Sequence, residues 1–259
     1  MKTNNLLCRN FLIIASLFMV LIAIFSPQAL AEKIMPHWSY SGIDNPTTWG
    51  KLSSDFELCE LGKYQSPINI NNGVEVTPVN MEFNYKSTPL SVINNGHTVQ
   101  VNYNPGSTIK INGKEYELLQ FHFHTPSEHT IDDQASAMEM HLVHRNIKGQ
   151  LAVVGVMIKK GAVNPLIDLI WMNIPAVGQK NIVKTSPINV GNLLPNSKEY
   201  FSYTGSLTTP PCSENVNWNV LIKPIQVSEK QIEKFQSLYQ ANARPVNPIN
   251  GRMIEFHGQ

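Results

Sequence analysis

Leu118-Leu119-Gln120-Phe121-His122-Phe123-His124 and its echo, Met138-Glu139-Met140-His141-Leu142-Val143-His144, decide how the chain is read. Successive side chains of an extended strand point to opposite faces, so His122 and His124 project together while Phe121 and Phe123 go the other way. The second run alternates with the same period and sets Glu139, His141 and Val143 on one face. A neighbouring strand thereby supplies a third imidazole to the first two. Three histidines are the usual protein share of a catalytic zinc, with the fourth position left to water. A lone histidine on an apolar strand reads as an ordinary core or surface residue. Here five of the eight histidines fall between positions 122 and 144, and metal ligation by His122, His124 and His141 is the reading taken. His129 falls outside the alternation and His144 lies on the opposite face from Glu139 and Val143, so both read as structural.

The rest of the chain suits a globular body behind a secretory leader. At 259 residues, 42% hydrophobic and 15% charged, it is large enough for a sizeable core and carries no signature of disorder. Lys2 and Arg9 precede an apolar run from Phe11 to Phe25, and Ala29-Leu30-Ala31 is a small-x-small cleavage site. That run is shorter than the roughly 20 residues of a spanning helix, so residues 1–31 read as a cleaved signal peptide rather than an anchor. Cys8 lies before the apolar run and leaves with it. The remaining 228 residues hold 18 Lys+Arg against 19 Asp+Glu, because Lys2 and Arg9 are removed. Near-neutral charge predicts no nucleic-acid partner and no binding to acidic membranes. Two cysteines remain, Cys59 and Cys212, and in an oxidising compartment they read as a disulfide, about 4 to 5 kcal/mol in the chain-entropy account.

From Glu32 to about Leu61, His37, Trp38, Tyr40 and Trp49 stand among Gly, Pro, Ser and Asn without a sustained period, which predicts a loop-rich arm packing its aromatics on the body. Short strands follow over residues 81–85, 90–93, 97–103, 109–111, 116–124, 139–145 and 151–158, many of them separated by turn signals such as Asn94-Asn95-Gly96 and Asn112-Gly113. Helices are few. Asn164-Pro165 reads as a cap and first turn leading into Leu166 to Trp171. Ser228 with Gln231 is a capping-box signature before the stripe Ile232, Phe235, Leu238 and Tyr239. The fold class is mainly β with a few short helices (α+β): a single domain over residues 32–259 around a large, mixed, mostly antiparallel twisted sheet.

The motifs QSPINI (Gln65–Ile70), NNGH (Asn94–His97), QFHFH (Gln120–His124), SEHT (Ser127–Thr130), EMHLVH (Glu139–His144), LAVVG (Leu151–Gly155) and SLTTPP (Ser206–Pro211) follow one another in the order found in α-class carbonic anhydrases. The chain resembles that family from His37-Trp38 to Asn250-Gly251-Arg252, and Thr125-Pro126-Ser127 after FHFH is similar to its bacterial branch, where animal members commonly have Trp-Gly. The resemblance implies reversible hydration of CO2 to bicarbonate and a proton by a zinc-bound hydroxide. It implies His122, His124 and His141 as Zn2+ ligands, with Gln120 and Glu139 orienting them. It makes Glu128 and Thr208 the pair that aims the nucleophile, and His97 the proton shuttle. Tyr40, Asn95 and Gln100 match the positions that hold a water chain; Gln100 stands where many members have Asn. Val143, Val153, Leu207, Thr208, Thr209, Val216 and Trp218 match the substrate pocket.

The resemblance further implies sulfonamide and anion inhibitors and weak activity on simple esters, while the signal segment without an anchor predicts a periplasmic location and no stable membrane insertion after cleavage. A homodimer is left open. Two rival readings stand beside it. A cupin oxygenase or isomerase also uses the spacing His122-x-His124-x3-Glu128 with a later histidine, and favours iron or manganese; it does not account for SLTTPP or QSPINI. A secreted binding module on the same fold would have lost zinc ligands, and all three are present.

Overall fold

The computed structural model describes residues 36–258. The signal segment, its cleavage site and Cys8 lie outside the described residues. In chain order the strands are β1 (Asn69–Ile70), β2 (Val74–Glu75), β3 (Met81–Asn84), β4 (Thr88–Asn94), β5 (Val99–Asn102), β6 (Thr108–Ile111), β7 (Lys114–His124), β8 (Thr130–Ile131), β9 (Gln134–Ala135), β10 (Met138–Arg145), β11 (Leu151–Lys160), β12 (Gln179–Ile188), β13 (Tyr200–Ser206), β14 (Glu214–Val227) and β15 (Glu255–His257). The helices are α1 (Trp49–Leu52), α2 (Leu58–Leu61), α3 (Pro165–Met172) and α4 (Glu229–Gln236). A 12-stranded sheet runs β12-β4-β5-β7-β10-β11-β14-β13-β15-β2, with β6 bridging β3 to β7. Most pairs are antiparallel, but β11 and β14 are parallel at its centre.

Burial follows position in that order. β10 and β11 have neighbours on both sides and layers on both faces, and are almost continuously buried. β12 is an edge, mostly exposed, with Lys180, Lys184 and Pro187 blunting it. One face of the sheet builds the main core around Leu118, Phe121, Phe123, Met140 and Leu142, closed by α3 and α4. Both helices start as their sequences require. Asn164 Oδ1 accepts from the N–H groups of Leu166 and Ile167, and Ser228 with Gln231 forms the reciprocal capping box. The predicted stripe on α4 is shorter than expected. Ile232 and Phe235 are buried, but the helix ends at Gln236 and Leu238 stands 39% exposed.

The aromatic arm does pack on the body, yet it is not only loop. It contains α1 and α2, and Trp49 is fully buried with its indole N–H donating to Ser39 O and Asp44 O at 2.8 and 2.9 Å. The Cys59–Cys212 disulfide pins α2 to the loop before β14, within a small cluster of Trp49 and Phe56. The strand assignments up to residue 158 hold within a few residues, whereas β12, β13 and β14 are not among those predicted. β12 lacks an apolar alternation because it is an edge. β14 carries Asn215, Asn217 and Asn219 on one face and Pro224 inside it, and its parallel pairing to β11 depends on a crossover that local pattern does not register.

Candidate metal centre and active site

Register makes the centre. β7 lies between β5 and β10, so His122 sits opposite Gln100 on one side and His141 on the other, while Glu139 is opposite His124. The three rings converge, with centroids 5.0 Å apart for His122 and His124, 5.3 Å for His122 and His141, and 4.5 Å for His124 and His141. One nitrogen of each lies within 4.8 Å of the others.

The opposite nitrogen of each ring is already engaged. His122 Nδ1–H donates to Gln120 Oε1 at 2.9 Å and His124 Nδ1–H to Asn242 O at 2.7 Å. Glu139 Oε1 stands 2.9 Å from His141 Nε2, an ion-pair distance without the alignment of a full hydrogen bond. These partners leave His122 Nε2, His124 Nε2 and His141 Nδ1 with lone pairs facing one another. Burial, then the mutual proximity of the rings, holds His122 well below the ordinary imidazole value, and burial holds His124 down at about 4 and lowers His141. Neutral imidazoles are what a cation requires. His124 Nε2 is buried and without any hydrogen-bond partner, which fits an N3 metal site of the zinc kind.

Beneath the rings Glu139 is the hub. Its Oε2 accepts the N–H groups of Glu128 and His129, both at 2.9 Å, and its Oε1 accepts His129 Nδ1–H at 2.8 Å. Burial pushes this carboxyl up, but His129 and His141 outweigh it and hold the group well below the usual carboxylate range. Gly155, opposite His141 in the register, leaves room for the hub, since a Cβ there would come within 2.9 Å of Glu139 Oε1. A buried relay continues from His129 Nε2, which accepts Tyr203 O–H at 2.6 Å, to Ser66, whose hydroxyl donates to Tyr203 at 2.8 Å.

Glu128 lies above this network, fully buried. Its Oε1 accepts Arg244 N–H at 2.8 Å, and its Oε2 has no hydrogen-bond partner, 3.5 Å from His124 Nε2. Burial pushes it up to about 7, opposed by His141, by the adjacent Thr208 hydroxyl and by the Arg244 N–H. The Arg244 guanidinium donates to Gln65 Oε1, Ser66 O and Cys59 O, so the Gln65-Ser66 motif, the disulfide and Glu128 are tied at one buried cation.

A cavity of 120 Å³ runs from His122 and His124 past Gln100, Asn95 and Tyr40 to His97, with Thr209 on its wall. Asn95 Oδ1 accepts the N–H groups of His97 and Thr98 at 2.9 Å each, which fixes the turn carrying His97. The His97 ring stacks on Trp38 at 3.7 Å and 7°. Burial against it, and then the nearby His37, lower the His97 pKa. Gln100 spends its amide N–H on Asn102 Oδ1 at 2.7 Å, presenting its oxygen elsewhere. Across from this polar side, Val143, Val153, Leu207, Val216 and Trp218 belong to one apolar cluster, with the Trp218 ring 4.8 Å from His141 and its indole N–H donating to Ser206 O. Thr208 lies 5% exposed beside them.

The structure brings His122, His124 and His141 together, sets His97, Tyr40, Asn95, Gln100 and Thr209 along one cavity from them, and pairs Cys59 with Cys212 in a separate cluster. Missing from the site residues predicted from sequence were His129, Tyr203, Asn242 and Arg244. His129 was visible inside Ser127–Thr130 but set aside for breaking the strand period. Asn242 and Arg244 act here through a backbone carbonyl and a backbone N–H, which no side-chain pattern reports.

Comparison with known proteins agrees with this architecture. The family model for eukaryotic-type carbonic anhydrase matches residues 44–257. A carbonic anhydrase of Pectobacterium carotovorum is 46% identical over 220 residues, covering 84% of this chain and 90% of the relative. A hyperthermostable carbonic anhydrase identified from an active hydrothermal vent chimney superposes with a TM-score of 0.83 at 47% identity, covering 85% of this chain and 99% of that one. The α-carbonic anhydrase of Thermovibrio ammonificans, solved with the inhibitor sulfanilamide, does so with a TM-score of 0.82 at 41% identity over 85% of this chain and 99% of that one. With the family model spanning nearly all of the described residues, the chain belongs to the eukaryotic-type (α) carbonic anhydrase family and is an enzyme of that class.

Proposed function

We propose that the chain catalyses the reversible hydration of CO2 to bicarbonate and a proton at a zinc ion held by His122 Nε2, His124 Nε2 and His141 Nδ1. The carrying observation is the convergence of three neutral ring nitrogens whose opposite nitrogens are already engaged by Gln120, Asn242 and Glu139. Bound zinc supplies the Lewis acidity that makes a water nucleophilic near neutral pH. The protein's own groups do the rest. Gln120, Asn242 and Glu139 fix tautomer and ring orientation. Glu128, held by Arg244 N–H, takes the Thr208 hydroxyl proton in a hydrogen bond, so the threonine oxygen accepts from the reacting water and orients it. Val143, Val153, Leu207, Val216 and Trp218 hold an uncharged substrate that offers no charge to grip, with Thr208 and Thr209 at its edge. The proton leaves along the cavity lined by Tyr40, Asn95 and Gln100 to His97, whose lowered pKa favours release to buffer.

Residues 1–31 are proposed as a cleaved secretory signal and residues 32–259 as the catalytic domain, acting in the periplasm. No helix of the described residues is long and apolar enough to cross a membrane. The sulfanilamide complex of the Thermovibrio ammonificans relative makes sulfonamides the inhibitors of choice here. Stopped-flow CO2 hydration by the chain from Glu32 onward, with metal content measured on the same sample and sulfanilamide as control, tests the proposal. Fast, inhibitable hydration with one zinc per chain is expected. Full zinc occupancy without hydration would turn the chain into a binding module on this fold. His97→Ala is expected to slow turnover chiefly in dilute buffer and to recover with added imidazole; equal loss at all buffer strengths removes its shuttle role. Thr208→Ala is expected to lower kcat/KM with zinc retained.

A further inference from the structure

α3 and α4 enclose a groove that the reaction does not use. They run side by side. Gln231 Oε1 accepts Asn164 N–H at 3.0 Å, its amide donates to Asn164 O and Asp168 Oδ1 at 2.7 Å each, and the Trp171 indole N–H donates to Gln231 O at 2.9 Å. One turn further along, Trp171 and Phe235 stack at 5.4 Å. The groove between them has a volume of 670 Å³, inside the ~300–1,000 Å³ range of small-molecule sites.

Its lining is graded along its length. Lys230 and Lys234 stand one turn apart on α4, and the same face continues to Leu238. Among the described residues neither lysine has an ion-pair partner. The one carboxylate in the lining, Asp168, accepts the Gln231 amide N–H at 2.7 Å and keeps its charge, so the two lysines leave the lining one positive charge in excess. Past the lysines the groove turns apolar, with Trp171, Ile174 and Pro175 below and Met172 and Leu238 on the rim, 76% and 39% exposed. From Lys230 to the helix end at Gln236 the rise is about 9 Å, and Leu238 follows in the turn beyond.

From this polarity we infer that the groove binds a free medium-chain carboxylate, its head between Lys230 and Lys234 and its alkyl tail over Trp171, Met172 and Leu238. The unpaired lysines supply the complementary charge, and the apolar end buries the chain. A cationic amphiphile meets like charge at the head position, and an uncharged one leaves both lysines unused.

Calorimetric titration of the chain from Glu32 onward with dodecanoate, below its micelle concentration, tests the inference. One saturable site is expected, weakened tenfold or more in Lys230→Gln/Lys234→Gln, and lost in Met172→Glu, which places an acid where the tail would lie. Dodecyltrimethylammonium is expected not to bind. All three substituted positions are solvent-facing, and circular dichroism of each variant checks that it folds. Absence of a saturable site overturns the inference, as does equal affinity for the cationic amphiphile or undiminished binding in the lysine variant. So does a concentration-dependent dimer that Met172→Glu dissociates, since a second copy would then cover the groove.

Discussion

Glu139→Gln is the substitution from which most follows. It keeps the shape of the side chain and removes its charge at a group that accepts three hydrogen bonds of 2.8 to 2.9 Å and stands 2.9 Å from His141 Nε2. A glutamine can satisfy only one pair. If its oxygen keeps the Glu128 and His129 N–H groups, its amide N–H faces His129 Nδ1 and His141 Nε2, which now carry protons of their own. Both rings must then change tautomer, and His141 moves its proton to Nδ1, the nitrogen aimed at the metal position. Turned the other way, the amide opposes two backbone N–H donors. The two arrangements lose one or two charge-assisted hydrogen bonds at about 1.5 to 3 kcal/mol each, so metal-free stability is expected to fall by about 1.5 to 6 kcal/mol. Zinc affinity is expected to fall by about 10 to 100-fold, since the partner that sets the ring's tautomer is gone. Urea unfolding of the metal-free protein measures the first quantity and chelator competition the second. A variant that unfolds within about 1 kcal/mol of the parent and keeps its zinc affinity within about threefold would refute the reasoning, and the hub would be mere filling.

Other outcomes follow from single contacts. Gly155→Ala drives a Cβ to 2.9 Å from Glu139 Oε1, a group held too firmly to move aside; a loss of about 1 to 3 kcal/mol in thermal or urea unfolding is expected, with weaker zinc binding, and parental values in both would show that the hub can shift. Cys59→Ser with Cys212→Ser opens a loop spanning 153 residues, for which the chain-entropy relation gives about 5 kcal/mol and a Tm drop on the order of 10 °C by calorimetry; an unchanged Tm would remove the cross-link from the stability account. His144 is buried with its pKa lowered to about 3 by burial. Its folded pKa lies below its unfolded one, so its contribution is intact above about pH 6.5 and is lost as pH falls towards 3, at up to about 1.4 kcal/mol per pH unit. His144→Gln is therefore expected to lose less urea stability than the parent between pH 7 and 5, and parallel losses would sink the assignment.

Much of the centre was legible along the chain because strands repeat every two residues. That period alone sets His122 beside His124 and Glu139 beside His141, and it separates them from Phe121, Phe123 and Leu142 behind the sheet. Local capping rules likewise located the starts of α3 and α4, since a cap is an interaction over two or three residues. The resemblance through residues 65–211 carried Glu128, Thr208 and His97, which no period singles out.

What only the tertiary structure decided lies in contacts between distant segments and in backbone atoms. Pairing of β7 with β10 sets His141 opposite His122, and a shift of one residue in β10 would have turned His141 and Glu139 away from the face of His122 and His124. Asn242 and Arg244 reach the centre through a carbonyl and an N–H, groups that every residue possesses and no composition distinguishes. His129 looked idle in sequence because it leaves the strand alternation, yet the turn after β7 folds it under Glu139. β14 escaped for a related reason, since its parallel partner β11 is separated from it by α3, β12 and β13. Sequence by itself determined which residues could share a face; the energy of packing those faces together determined which faces meet.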